Sequence, residues 1–192
     1  MVSSISKDQI AKLPLACFDG CIVLVQDEAG VEEAIQHLST FDKIGFDTET
    51  RPAFVKGRTH KIALMQLATE NTCYLFRLNV LGLPQSLLKL LANSTIKKIG
   101  LSLKDDFSAI RKSIPFTPQG FIDLQAYVKN FGIEDIGLQR IYAILFDEKI
   151  SKNQRLTNWE AVSLTEKQQQ YAALDAWACL KIYNELERTK EK

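Results

Sequence analysis

The chain has 192 residues, of which 46% are hydrophobic and 24% are charged, and its formal net charge is +1. This length suits one domain, and the composition excludes a disordered protein. The near-neutral charge argues against a protein that coats long duplex nucleic acid, because such proteins are distinctly basic. Four cysteines are too few for a disulfide-rich secreted scaffold, and no apolar run is long enough to span a membrane, so a cytoplasmic protein without membrane contact is expected.

The predicted elements form one domain over residues 21–192, preceded by a weakly structured lead-in over residues 1–20. Strands are predicted where short apolar runs are bounded by turn residues, at 20–27, 44–49, 62–68, 72–76, 97–100 and 121–124. Helices are predicted where apolar residues recur at helical spacing, at 30–41, 85–92, 103–111, 124–131, 137–145 and 165–187. A hairpin followed by alternating helices and strands predicts a three-layer α/β fold with a mixed sheet.

Two acidic residues, Asp47 and Glu49, end the second predicted strand. Alternate residues of a strand point to the same face, so these carboxylates share a face with Gly45, opposite Ile44 and Phe46. Two adjacent carboxylates repel each other unless a cation lies between them. Taken alone this pattern is a weak signal, because it occurs in many solvated turns.

The last predicted helix begins at a capping box, in which Thr165 and Gln168 can each satisfy a free backbone amide. Tyr171 and Asp175 lie at positions i and i+4 and therefore on one face of this helix. Asp175 lies inside the apolar arc. Because a buried carboxylate is costly unless it is paired, we expect either a buried ion pair or a metal ligand here.

A second acidic pair, Asp105 and Asp106, lies in the first turn of the predicted helix 103–111. The simplest role for such acids is a favourable interaction with the helix N-terminus. Neighbouring helical residues point about 100° apart, so at most one of the two faces a shared cleft.

Taken together, these segments resemble the three motifs of the DEDDy 3′–5′ exonucleases, a family that includes ribonuclease D and the Werner-syndrome exonuclease domain. The matching segments are FDTET, IGLSLKDDFSAI and LTEKQQQYAALDAWACLKIY, and the resemblance covers residues 20–187. Position 170 is Gln, whereas the sister DEDDh subclass carries histidine there. Counting six residues on from Gly100 selects Asp106 and leaves Asp105 as the capping acid, with Asp105 as the alternative ligand.

The resemblance implies a ribonuclease H-like α/β/α fold and a metal-dependent enzyme that hydrolyses the terminal phosphodiester of a nucleic acid with a free 3′ end. It implies that Asp47, Glu49, Asp106 and Asp175 hold two divalent ions, while Tyr171 orients the attacking water. Ligands that are all oxygen favour Mg²⁺ or Mn²⁺ over zinc. A two-metal-ion mechanism would release nucleoside 5′-monophosphates.

Substrate contacts are predicted less specifically. Two stretches carry basic residues and no acid, over 51–69 and 149–159, and if they flank one cleft they could follow a phosphate backbone. The candidate nucleic-acid contacts are Thr48 through its backbone, Lys104 and Arg155 through phosphates, and Trp159 through stacking on a base. Each of them has a plain structural alternative. Phe54 and Met65 are interpreted as packing residues.

The nature of the substrate stays open at this point. Similarity of residues 46–68 to the Werner-type segment favours DNA, and RNA trimming of the ribonuclease D type is the alternative. A catalytically silent nucleic-acid-binding module on the same fold, and a hydrolase of very short oligonucleotides, are the other two hypotheses.

Overall fold

A computed structural model describes residues 2–54 and 60–190, in which a six-stranded mixed sheet lies between two layers of helices. The strands are β1 (Cys21–Val25), β2 (Lys43–Thr50), β3 (Ile62–Ala68), β4 (Thr72–Arg77), β5 (Lys97–Gly100) and β6 (Phe121–Asp123). Their order is β1-β4-β3-β2-β5-β6. The pairs β2–β3 and β3–β4 are antiparallel, while β1–β4, β2–β5 and β5–β6 are parallel. The predicted hairpin and the mixed three-layer α/β/α architecture are confirmed.

The helices flank this sheet and connect its strands. They are α1 (Lys7–Ala11), α2 (Glu28–Leu38), α3 (Leu78–Leu81), α4 (Gln85–Leu91), α5 (Leu103–Arg111), α6 (Leu124–Tyr127), α7 (Leu138–Phe146) and α8 (Glu166–Lys190), with a 3-10 turn at Val128–Phe131. Six helical segments were predicted within a few residues of their bounds, whereas the short helices α1 and α3 were not. Over the described ranges, none of the helices combines the length and the apolar character needed to cross a membrane.

The segment before β1 is more ordered than the sequence suggests. Helix α1 begins at a capping box formed by Ser6 and Gln9. Leu15 forms a bridge with Lys149. Phe18 is buried, with its ring centroid 5.7 Å from that of Trp177. The expectation of weak structure missed the local capping box of α1, and it missed the contacts of Leu15 and Phe18 because these are made with residues far along the chain, which no local periodicity reports.

The closest approach between the helical layer and the sheet occurs where α8 crosses β2. A Cβ atom at Gly45 would lie 2.0 Å from the carbonyl oxygen of Ala176, so only glycine allows this packing. Ile44 and Phe46 point to the opposite face, into the core that contains α2 and α5. The close crossing brings Asp175, the residue before Ala176, beside the end of β2.

The start of α8 matches the predicted capping box. The Thr165 amide donates to Oε1 of Gln168 at 3.0 Å, and the Gln168 amide donates to Oγ1 of Thr165 at 3.3 Å. From this fixed start, Tyr171 and Asp175 lie on the second and third turns, on the side of the helix that faces the sheet.

Candidate active site

Three acidic side chains from two distant segments meet at the end of β2. One carboxylate oxygen from each of Asp47, Glu49 and Asp175 lies within 4.8 Å of the other two. Asp175 is only 7% exposed, and its Oδ1 atom has no hydrogen-bond partner among the described residues. A buried carboxylate oxygen without a donor is rare unless it binds an ion or an unseen donor. This cluster therefore has the chemistry of a cation site.

The fourth acid, Asp106, approaches from the other face of β2. Thr48 lies between Asp47 and Glu49 but points to that face, where its hydroxyl donates a hydrogen bond to the Asp106 carboxylate. The charge of Asp106 contributes to raising the pKa values of Asp47 and Glu49, so it lies near the cluster. Asp105 is exposed. Of the two neighbouring acids, Asp106 is the one that the structure directs toward the cluster.

The acid that caps α5 is Asp123, not Asp105. Its carboxylate accepts hydrogen bonds from the amides of Ser102 at 3.1 Å and Leu103 at 3.0 Å, and also from Gln125 at 2.9 Å. Asp105 lies in the first turn of α5, as the sequence predicts, but the hydrogen bonds that cap α5 are accepted by an acid from β6, the neighbouring strand. The position of Asp123 between an apolar strand and a helix is typical of the N-cap of α6, which it also forms, and the sequence carries no signal for its contact with α5. By fixing the start of α5, Asp123 positions Asp106.

Burial raises the pKa values of all four acids, and the charges of the other acids in the cluster raise those of Asp47 and Glu49 further. Burial, followed by the charges of Asp175, Glu49 and Asp106, holds the pKa of Asp47 well above its usual range. Burial, with the charges of Asp175 and Asp106, raises the pKa of Glu49 to about 8. Burial raises the pKa of Asp175 to about 7 and that of Asp106 to about 6. Without a cation, the four carboxyl groups therefore cannot all be ionised at neutral pH.

Tyr171 lies one helical turn before Asp175 and borders the acids. Burial, followed by the charges of Asp175 and Glu49, raises the pKa of its phenol far above the usual value. The hydroxyl is therefore protonated over the whole physiological range. It can donate or accept a hydrogen bond, but it cannot act as an ionised base.

Trp159 does not have the exposed ring face that stacking on a base requires. Its side chain is 0% exposed, and its ring centroid lies 6.0 Å from that of Tyr171. The prediction of base stacking is corrected for this reason, and the packing alternative describes the residue. The indole packs beside the ring of Tyr171. In a linear sequence, buried and exposed tryptophans look alike.

The basic stretch before Trp159 lies at the rim of the acidic cluster. Lys152 and Arg155 are both exposed. The charge of Arg155 lowers the pKa of Glu49, and that of Lys152 lowers the pKa of Asp175, in each case opposing the larger effect of burial. Lys104, the other predicted phosphate contact, is exposed on the first turn of α5. The phosphate contacts of Lys104 and Arg155 therefore stay predictions.

Two buried side chains anchor the segment that follows this basic stretch. Nε2 of Gln168 donates to Oγ1 of Thr157 at 3.0 Å and to the Asn158 carbonyl at 3.3 Å. Arg77, at the end of β4 and only 1% exposed, donates from its guanidinium to the carbonyls of residues 161 and 162. The sequence analysis did not single out Arg77, because no motif distinguishes it from surface arginines.

The other basic stretch, over residues 51–69, lies partly outside the described residues, since Lys56 and Arg58 fall in the range 55–59. Arg51 forms an ion pair with Glu160 at 3.3 Å. Phe54 is 82% exposed, so its interpretation as a packing residue was wrong, whereas Met65 is buried as expected.

Comparison with known proteins identifies the relatives of this chain. A family model described as 3′–5′ exonuclease matches residues 22–191. The chain is 32% identical over 184 residues to the mouse bifunctional 3′–5′ exonuclease/ATP-dependent helicase WRN, covering 91% of this chain and 13% of the mouse protein. It is 29% identical over 198 residues to a 3′–5′ exonuclease of Arabidopsis thaliana, covering 95% of this chain and 69% of that protein.

Among solved structures, the EXO domain of Aedes aegypti Nibbler superposes with a TM-score of 0.81 and 24% sequence identity. The match covers 93% of this chain and 92% of that domain, and it supports the fold. The chain spans about an eighth of the length of the mouse protein.

Proposed function

The chain belongs to the 3′–5′ exonuclease family, and on this premise we propose that it hydrolyses the terminal phosphodiester at the 3′ end of a nucleic acid. The observation that carries the proposal is the cluster of Asp47, Glu49 and Asp175 at one end of β2, with Asp106 hydrogen-bonded to Thr48 beside it and Tyr171 at its border. An inactive module on the same fold would have no need of four mutually repelling acids, whose proximity destabilises the folded chain.

The acidic cluster fits divalent cations. Asp175 presents a buried oxygen without a hydrogen-bond partner in the described chain, and all four acids have raised pKa values that a cation would lower. We assign Asp47, Glu49, Asp106 and Asp175 as the residues that would hold two Mg²⁺ or Mn²⁺ ions, because carboxylate oxygens suit these hard cations. When bound, such a pair supplies Lewis-acid stabilisation of the attacking and leaving oxygens.

The remaining side chains would position the water and the substrate. Tyr171 keeps its proton, so in the proposed reaction it orients the attacking water through a hydrogen bond and does not remove a proton from it. Lys152 and Arg155 stand exposed beside the acids, where they can hold the phosphate groups of the strand. Attack of water at the terminal phosphorus would release a nucleoside 5′-monophosphate and leave a shortened 3′-hydroxyl end.

We favour DNA as the substrate. Support comes from the similarity of residues 46–68 to Werner-type domains and from the 32% identity to the mouse WRN protein. Discrimination between DNA and RNA depends on how a 2′-hydroxyl fits beside the bound terminal nucleotide. A test of this preference therefore compares a DNA strand with an RNA strand of the same sequence.

The decisive experiment incubates the purified protein with matched 5′-labelled DNA and RNA 20-mers and with a DNA dinucleotide, in Mn²⁺, in Mg²⁺ or in excess chelator. The expected result is a ladder of shortened DNA strands with either ion and an intact strand in chelator. A strand blocked at its 3′ end should persist. Faster loss of RNA would transfer the proposal to RNA trimming, and cleavage of the dinucleotide alone would indicate a hydrolase of very short oligonucleotides. An intact strand with measurable binding would indicate a silent binding module.

Asp105 and Asp106 provide a matched pair of variants for this assay. Asp106→Asn is expected to reduce the rate by about 100-fold or more, because it removes a carboxylate that would bind the metal. Asp105→Asn makes the same chemical change one residue away, on an exposed side chain, and should leave the rate nearly unchanged. A reversed pattern would show that Asp105 is the ligand.

A further inference from the structure

Gln66 is a buried polar residue in the middle of β3, on the face of the sheet that α8 covers. Its side chain is 0% exposed. Leu64 and Ala68, two residues before and after it, share its face and pack in the core that includes α8. Its partner on β4 is the buried Leu75. These surroundings are suited to an apolar side chain.

The Gln66 amide has an unusual hydrogen-bonding state. Neither its Nε2 nor its Oε1 atom has a partner in the part of the chain that the structure describes. The large majority of buried polar side-chain atoms in proteins are hydrogen-bonded, because burying such an atom without a partner is costly. Leucine or methionine would fill the same space without that cost. The amide therefore calls for an explanation other than packing.

The residue directly opposite Gln66 in the sheet is Asp47, whose carboxylate can accept a hydrogen bond from the Gln66 amide. In the antiparallel β2–β3 pair, Gln66 is the register partner of Asp47. Directly opposed residues lie on the same face with Cβ atoms about 4.5–5.5 Å apart, within reach of a glutamine amide. A carboxylate only accepts hydrogen bonds when ionised, and the amide nitrogen of glutamine offers two donors. Gln66 is thus the uncharged donor placed beside Asp47.

We propose that Gln66 is a positioning residue whose Nε2 donates a hydrogen bond to the Asp47 carboxylate when that carboxylate holds a divalent ion. Carboxylates that bind a metal through one oxygen are commonly oriented by a donor to the other oxygen. An amide performs this role without adding a positive charge, which would compete with the cation. The inference rests on the proposed metal-dependent function and adds a residue to it that lies outside the four acids and Tyr171.

The test measures Mn²⁺ affinity directly, from the free-ion signal in electron paramagnetic resonance titrations, for the wild-type protein and for Gln66→Met. The expected dissociation constant of the variant is about 10-fold higher, in the range found when groups that orient metal ligands are removed. Its denaturation midpoint in chelator should equal or exceed that of the wild type, because an unpartnered buried amide is lost. A purely structural glutamine would not give this combination.

Leu64→Met is the matched control, since Leu64 lies on the same strand and face, opposite Glu49, and the substitution changes no polar atom. Its Mn²⁺ affinity should equal that of the wild type. Gln66→Leu provides the same comparison if the methionine variant does not fold. Equal Mn²⁺ affinity in all variants would overturn this inference alone, whereas absence of Mn²⁺ binding and of hydrolysis in the wild type would overturn the proposed function as well.

Discussion

Replacing Asp175 by asparagine should make the metal-free protein more stable at pH 8, although Asp175 belongs to the candidate active site. Burial raises the pKa of this carboxyl from 3.8 to about 7 in the folded chain. A difference of about three pKa units corresponds to about 4 kcal/mol of destabilisation once the group is ionised in both states. Asparagine removes that charge but leaves a buried amide, which costs about 1–3 kcal/mol if it has no partners.

The expected net gain is therefore about 2 kcal/mol at pH 8 in chelator, or about 4–8 °C in melting temperature for a chain of this size. The stability difference between Asp175→Asn and the wild type depends on pH because the pKa of Asp175 is raised in the folded state. Ionisation destabilises the wild type progressively as pH rises from about 4 to about 7, and the stability of the asparagine variant relative to the wild type should grow by about 3 kcal/mol between pH 5 and pH 8. Below that window the carboxyl group is neutral in both states, and the advantage disappears.

Urea denaturation followed by tryptophan fluorescence, at pH 5 and pH 8 with chelator or with Mn²⁺, measures these quantities. Mn²⁺ should stabilise the wild type by mass action and have a much smaller effect on Asp175→Asn. Asp105→Asn, on an exposed side chain, should change stability by less than about 0.5 kcal/mol in every condition. If Asp175→Asn is less stable than the wild type at pH 8 in chelator, or if the difference does not vary with pH, the reasoning from buried charge is refuted.

Three further substitutions examine other parts of the site. Gly45→Ala should destabilise the chain by about 3 kcal/mol in thermal melts, because the new Cβ would lie 2.0 Å from the Ala176 carbonyl oxygen. A variant as stable as the wild type would contradict the close packing of α8 on β2. Tyr171→Phe should lower kcat by about 10- to 100-fold without shifting the pH–rate profile, since the phenol stays protonated. Loss of an acidic limb, in which the rate rises with pH as a base loses its proton, would instead identify Tyr171 as a base. Arg155→Ala should raise KM and make the binding of the nucleic-acid strand less dependent on salt, measured from 50 to 200 mM salt. If the slope of the binding constant against salt concentration is unchanged, Arg155 does not contact phosphate.

Local sequence patterns were sufficient for the strands, for every helix except the short α1 and α3, and for the shared face of the first acidic pair. Period-two alternation placed Asp47 and Glu49 on one side of β2, and the Thr165–Gln168 capping box defined the start of α8. These features depend on residues a few positions apart, whose geometry is fixed by backbone periodicity. For the same reason the i, i+4 spacing correctly placed Tyr171 beside Asp175.

Contacts between distant segments were decided only by the tertiary structure. The sequence does not reveal that Trp159 is fully buried, or that Asp123 rather than Asp105 caps α5. It also gives no sign that the Gln66 amide, opposite Asp47, has no hydrogen-bond partner among residues 2–54 and 60–190. Burial and hydrogen-bond satisfaction depend on which surfaces pack together across the sheet, and a residue type carries only a weak preference for either. The sequence determined which side chains are candidates for the site, and the packing of α8 on β2 determined which of them meet.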